Sequence, residues 1–159
     1  EYQNFAGIIL PSNIEDFFTC VSQAKEKGIF PYVRLGTGEF TDSLIFDHVT
    51  EFSKSIIEFI SKHPEIYFEF KTKSVNIENI LKQKSYPNIV VAWSLNPQKM
   101  INENEFYSAS LKERLDAAVL CQKAGFKVGF HFDPIIFYPG WEKDYQDTIN
   151  LLFDKINAK

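Results

Sequence analysis

Positive charge is in deficit. Seventeen Lys and Arg stand against 21 Asp and Glu, a formal net charge of −4. Domains that grip nucleic acid by its phosphates are usually basic, so the composition makes no electrostatic case for DNA. Cysteine is scarce too. Cys20 and Cys121 lie far apart in helical patterns and read as two buried, reduced thiols, not as a disulfide or a metal pair. No apolar run reaches the ~18 residues that would span a bilayer, and there is no signal-peptide layout. These absences point to a cytoplasmic protein with no membrane partner.

What is present is ample core material. Apolar residues make up 45% of the chain and phenylalanine alone contributes 16 of its 159 residues. The length fits a single domain over 1–159. The chain opens on EYQNF, without Met, as if inside a strand, and ends on a helix with no closing strand. It therefore reads as a piece of a longer α/β protein.

The stretch Lys127–Trp141, KVGFHFDPIIFYPGW, shows the governing pattern. It begins as a strand and sets His131 and Asp133 on one face, because strand side chains alternate. Pro134 has no N–H for a ladder and closes the run. Tyr32–Glu39, Tyr67–Ser74 and Ile89–Pro97 share this form, an apolar strand ending in polar residues. Strands are expected at 30–35, 66–71, 89–93 and 126–132.

Helices are expected between them. Ser12 and Glu15 have capping-box spacing ahead of Ile14, Phe17, Phe18 and Val21, and Ser110 and Glu113 have it ahead of Leu111, Leu115, Ala118 and Val119. One helix is expected from about Ser43 to Ser61, capped by Thr41 or Asp42, with His48 as a surface or core side chain. A short one follows from Asn76 to about Gln83, then a polar loop over 102–108, and an amphipathic helix from Glu142. Strand–helix alternation with right-handed crossovers gives a parallel sheet. The fold class is thus α/β, either an arc of a barrel or an open doubly wound sheet.

In such folds chemistry gathers at the carboxyl ends of the strands. Those ends offer Thr37, Gly38 and Glu39, with Asp42 beyond them, then Lys73 and Ser74, then Ser94 and Asn96, then His131 and Asp133. Each has a plain alternative. Glu39 and Asp42 suit a turn and a cap, Lys73 an ion pair with Glu69 or Glu39, and His131 with Asp133 a structural pair. Three chemistries remain open. Lys73 could form a Schiff base if its pKa were lowered. His131 and Asp133 could ligate a catalytic metal, although no third ligand is evident. Or the ends could bind a small amphoteric cofactor, Glu39 taking an ammonium and Lys73, Ser94 and Asn96 a carboxylate and a ribose.

Five segments carry a family resemblance: Arg34–Ser43 (RLGTGEFTDS), Phe70–Ser74 (FKTKS), Trp93–Pro97 (WSLNP), Ser110–Ala118 (SLKERLDAA) and Ala124–Ile136 (AGFKVGFHFDPII) with Gly140-Trp141. In this order they resemble the spore photoproduct lyase family of radical S-adenosylmethionine enzymes, often described as DNA repair photolyases. The resemblance implies a partial (β/α)6 TIM-like barrel, the four strands being its second to fifth. It implies S-adenosylmethionine across the strand ends, with Gly38 and Glu39 near the methionine amine and Lys73, Ser94 and Asn96 as further contacts. It also implies a [4Fe–4S] cluster in the intact protein and DNA as a partner through that protein.

Two departures bear on this. The family's CxxxCxxC cluster motif is absent and belongs upstream of Glu1, so this segment alone would be inactive. The position aligned with the lyase branch's cysteine hydrogen donor holds Glu39, which leaves the substrate open. A barrel lacking its first strand would expose an edge and could associate through it. A nucleotide-binding barrel module without catalysis is the alternative from another class.

Overall fold

The structure, a computed structural model, describes residues 10, 12–28, 32–38 and 41–158. The chain divides into two compact units, 1–31 and 32–159. In the first unit, helix α1 runs from Ile14 to Glu26. The Ser12–Glu15 capping box does not form. Asn13 is the N-cap, and its amide donates to the Asp16 carboxylate at 2.9 Å. No residue of α1 is buried, so Cys20, expected in a core, is exposed.

The second unit is built on four strands: β1 (Val33–Thr37), β2 (Ile66–Thr72), β3 (Ile89–Ser94) and β4 (Lys127–His131). They form one parallel sheet in the order β1-β2-β3-β4. The α/β parallel-sheet expectation holds. Each strand lies beside its predecessor, so there is no reversal of order and no switch point of the doubly wound kind. The sheet advances in one direction, as an arc of a barrel does.

Among the described residues six helices accompany the sheet: α2 (Asp47–Thr50), α3 (Phe52–Ser61), α4 (Glu78–Leu81), α5 (Gln98–Asn104), α6 (Leu111–Lys123) and α7 (Trp141–Lys155). The single helix expected over 43–61 is two. Glu51 takes a left-handed φ of 50° between α2 and α3. The buried Asp47 carboxylate then accepts from the Ser53 N–H at 2.8 Å and the Ser53 hydroxyl at 2.6 Å. This satisfies an otherwise orphaned donor at the second helix's start, which lets the chain break there. Helix α5 occupies part of the segment expected to be loop. The Ser110–Glu113 box forms as expected, with both reciprocal hydrogen bonds.

One sheet face is apolar. Phe68 and Phe70 of β2 and Val91 and Trp93 of β3 are buried with Ile56, Ile57 and Ile60 of α3, Ile80 of α4, and Leu115, Ala118 and Cys121 of α6. Burial pushes the Cys121 thiol up to about 12, so this cysteine is an inert core residue. The alternate positions face the other way and carry Arg34, Gly36, Glu69, Lys71, Ala92, Gly129 and His131. On that face a cleft of about 610 Å³ touches Tyr67, Val90 and Gly129, and one of about 390 Å³ touches Gly36, Lys71 and Asp133. Both are lined by Arg34, Glu69 and His131. The sequence thus builds one dry face for the helices and one polar face.

Candidate functional site

One aspartate locks the turn that follows β1 to the carboxyl end of β2. Asp42 Oδ1 accepts from the Leu44 and Ile45 N–H groups, both at 2.9 Å, and from the Thr72 hydroxyl at 2.6 Å. Its Oδ2 accepts from the Lys73 N–H at 2.7 Å. Asp42 is expected to cap a helix from about Ser43, but α2 begins only at Asp47; Asp42 instead caps the turn at 42–45 and ties that turn to the end of β2. With its oxygens so used, it is scaffold.

Thr37 and Ser43 add a second tie, their hydroxyls 2.7 Å apart, while Ser43 exchanges backbone and side-chain hydrogen bonds with Lys71. Gly38 sits against this seam with φ of 99°. A Cβ there would lie 2.4 Å from the Lys71 carbonyl oxygen, so the position requires glycine. Glu39 lies outside the described residues.

Lys73 emerges from this lock. Its ammonium pairs with Glu105 at 3.0 Å and remains 40% exposed. The expected partners are Glu69 or Glu39, or solvent; the partner is Glu105, from the segment expected to be a polar loop. Glu105 Oε1 also accepts from the Asn96 amide at 2.9 Å, and Oε2 from Arg114 at 2.5 Å. Burial pushes the Glu105 carboxyl up, but Asn96, Arg114 and Lys73 outweigh it and hold the group below its ordinary value.

Arg114 is fully buried, and its other nitrogens donate to the Ala109 and Ser94 carbonyls, each at 2.8 Å. The network therefore includes the backbone of Ser94, itself a buried site candidate. Asn96 is oriented from both ends, because its oxygen accepts from the Tyr145 hydroxyl at 2.7 Å. A signal for this network lay in the sequence. Arg114 falls three residues after Leu111 and one before Leu115, on the apolar face of α6, and an arginine there needs a buried counter-ion.

His131 and Asp133 line the cleft but do not pair with each other. His131 Nε2 contacts Glu69, whose other oxygen accepts from Arg34. Glu69 is held below its ordinary value: burial raises it, and Arg34 and His131 overcome that. Asp133 is 75% exposed, with Lys71 at 3.9 Å.

Among the described residues no three His, Cys, Asp or Glu side chains converge as metal ligands. Cys20, exposed, and Cys121, buried on another helix, cannot supply the thiolate set of an iron–sulfur cluster. The residues at the ends of β2 and β3 do fit the methionyl part of S-adenosylmethionine. They hold one half-exposed ammonium and, buried beside it, one amide and one hydroxyl. The register brings them together, because Thr72 lies beside Trp93 and Ser94 beside His131.

Among the described residues no helix is long and apolar enough to cross a membrane.

A family model described as spore photoproduct lyase matches residues 8–159. Spore photoproduct lyase of Clostridium acetobutylicum is 28% identical over 106 residues, 67% of this chain and 32% of that protein. The Bacillus subtilis protein of that name is 27% identical over 146 residues, 92% of this chain and 42% of that one. A solved spore photoproduct lyase complexed with dinucleoside spore photoproduct superposes with a TM-score of 0.85 at 27% identity, over 92% of this chain and 43% of that one. A variant with bound AdoMet and dinucleoside spore photoproduct gives 0.83 at 28%, with the same coverage. The chain thus spans less than half the length of these relatives.

Proposed function

The chain belongs to the spore photoproduct lyase family, and from that premise we propose that it is the central part of a radical S-adenosylmethionine barrel. In this reading β1 to β4 are the barrel's second to fifth strands, and their carboxyl ends hold the cofactor. When cleaved by one electron from an iron–sulfur cluster, S-adenosylmethionine supplies a 5′-deoxyadenosyl radical that abstracts hydrogen from a substrate. This chain's residues bind and orient. Lys73 takes the methionyl carboxylate with the ammonium hydrogens that Glu105 does not use. Asn96 and Ser94 present an amide and a hydroxyl beside it, and Gly38 leaves the backbone close at the end of β1. Gly36 and Gly129 keep the inner face low, leaving space for a substrate beneath.

The observation that carries the proposal is the Lys73–Glu105 pair at 3.0 Å, with Asn96 on the same carboxylate. It presents a fixed cation and a fixed amide at adjoining strand ends. The same pair weighs against a Schiff-base lysine, which needs a neutral, desolvated amine. The Glu69 contact of His131 and the exposure of Asp133 likewise weigh against a metal site. DNA as substrate and a cytoplasmic location belong to the proposal through family membership. The identity of the lesion stays open, because Glu39 stands where the lyase branch has its cysteine.

The test is S-adenosylmethionine affinity in the full-length protein. Removing a charged hydrogen-bonding partner costs about 1.5–3 kcal/mol, so Lys73→Ala should weaken binding by about 10- to 100-fold. Unchanged affinity, measured by isothermal titration, would remove Lys73 from the site. A protein that binds the cofactor but yields no 5′-deoxyadenosine after anaerobic cluster reconstitution would favour the binding-module reading.

A further inference from the structure

We infer that Glu105 is the positioning residue of this site, aiming the Lys73 ammonium and the Asn96 amide from behind; the inference rests on the cofactor reading above. Glu105 cannot act by contact. Its side chain is 8% exposed, and each oxygen already accepts from buried or half-buried donors. What it can do is fix others. A lysine ammonium on a four-carbon stem samples many rotamers, and a partner at 3.0 Å selects among them. Asn96 has one N–H on Glu105 and its oxygen under the Tyr145 hydroxyl, so its second N–H points in a set direction.

Arg114 makes this arrangement tolerable. A carboxylate so enclosed needs compensation, and the fully buried guanidinium at 2.5 Å provides it. Arg114 also grips the Ala109 carbonyl and the Ser108 hydroxyl, both at 2.8 Å, which fixes the loop that carries Glu105. In that loop Tyr107 adopts a φ of 61°, an unfavourable conformation that the surrounding bonds hold in place. The chain of contacts runs from α6 through the loop to the ends of β2 and β3. Were Glu105 only a counter-ion for Arg114, nothing would require Lys73 and Asn96 to converge on its other oxygen.

The test has two arms, both in the full-length protein. The first needs no ligand. Trace labelling with acetic anhydride, read by mass spectrometry, reports the reactivity of Lys73 against Lys71, which pairs elsewhere. Glu105→Gln should raise Lys73 labelling several-fold and leave Lys71 unchanged. Glu105→Asp keeps a counter-charge for Arg114 but withdraws the carboxylate by one methylene, and it should do the same if the glutamine variant folds poorly. Unchanged Lys73 labelling in a folded variant overturns the inference.

The second arm is a mutant cycle on S-adenosylmethionine affinity. If Glu105 acts through Lys73 and Asn96, adding Glu105→Gln to the double variant Lys73→Ala, Asn96→Ala should weaken binding by no more than about threefold. Fully additive losses would overturn it. If Lys73→Ala alone leaves affinity intact, the cofactor reading fails, and the labelling arm still decides whether Glu105 fixes Lys73.

Discussion

Glu105 and Glu69 are both partly buried carboxylates stabilised in their charged form. In each case burial opposes the charge and specific donors win. The sign for stability follows. A folded-state pKa below the ordinary 4.5 means that the stabilisation is complete above that value and is lost as pH falls through the lower, folded one. The urea midpoint should therefore fall as pH drops below about 4.5, and it should fall less steeply in Glu105→Gln, which cannot titrate there. An identical slope in wild type and variant would show that Glu105 titrates normally.

At the level of elements, the strand ends are fastened before any ligand arrives. Asp42 alone satisfies three backbone N–H groups and the Thr72 hydroxyl. Asp42→Ala strands several of these donors at once and should cost about 2–4 kcal/mol in chemical denaturation. Asp42→Asn, which retains one carbonyl oxygen, should cost less. A loss under about 1 kcal/mol for the alanine variant would mean that water replaces the carboxylate and that the lock is weak.

The elements also show where the sequence was legible. All four strands were, because β-rich apolar runs ending in polar residues are distinctive over a few residues, although β1 runs over Val33–Thr37 and residues 30 and 31 of the expected strand lie outside the described residues. The box at Ser110 was legible for the same reason. Helix α5 was missed because INENE has no apolar periodicity to mark it. The break at Glu51 was missed because the cause is a buried Asp47–Ser53 contact six residues apart, invisible to helical spacing. The Ser12 box was lost to Asn13, one residue later and equally suited to capping.

At the scale of the molecule, strand ends far apart in sequence become one surface. The sequential strand order supplies a smooth arc, the helices dry one face, and the polar face collects Lys73, Ser94, Asn96, Glu69 and His131. The placing of Lys73, Ser94, Asn96 and His131 at strand ends was legible from the strand-end pattern; Glu69, inside β2, was not. Nor was the wiring, because Lys73 and Glu105 come from different crossovers and only the tertiary fold brings them within 3.0 Å.

A crystal structure of the full-length protein with S-adenosylmethionine would locate the cofactor outright. The methionyl carboxylate should lie within hydrogen-bonding distance of Lys73 Nζ, with Glu105 still behind it and Asn96 alongside. A cofactor bound away from the ends of β2 and β3, with Lys73 untouched, would contradict this placement.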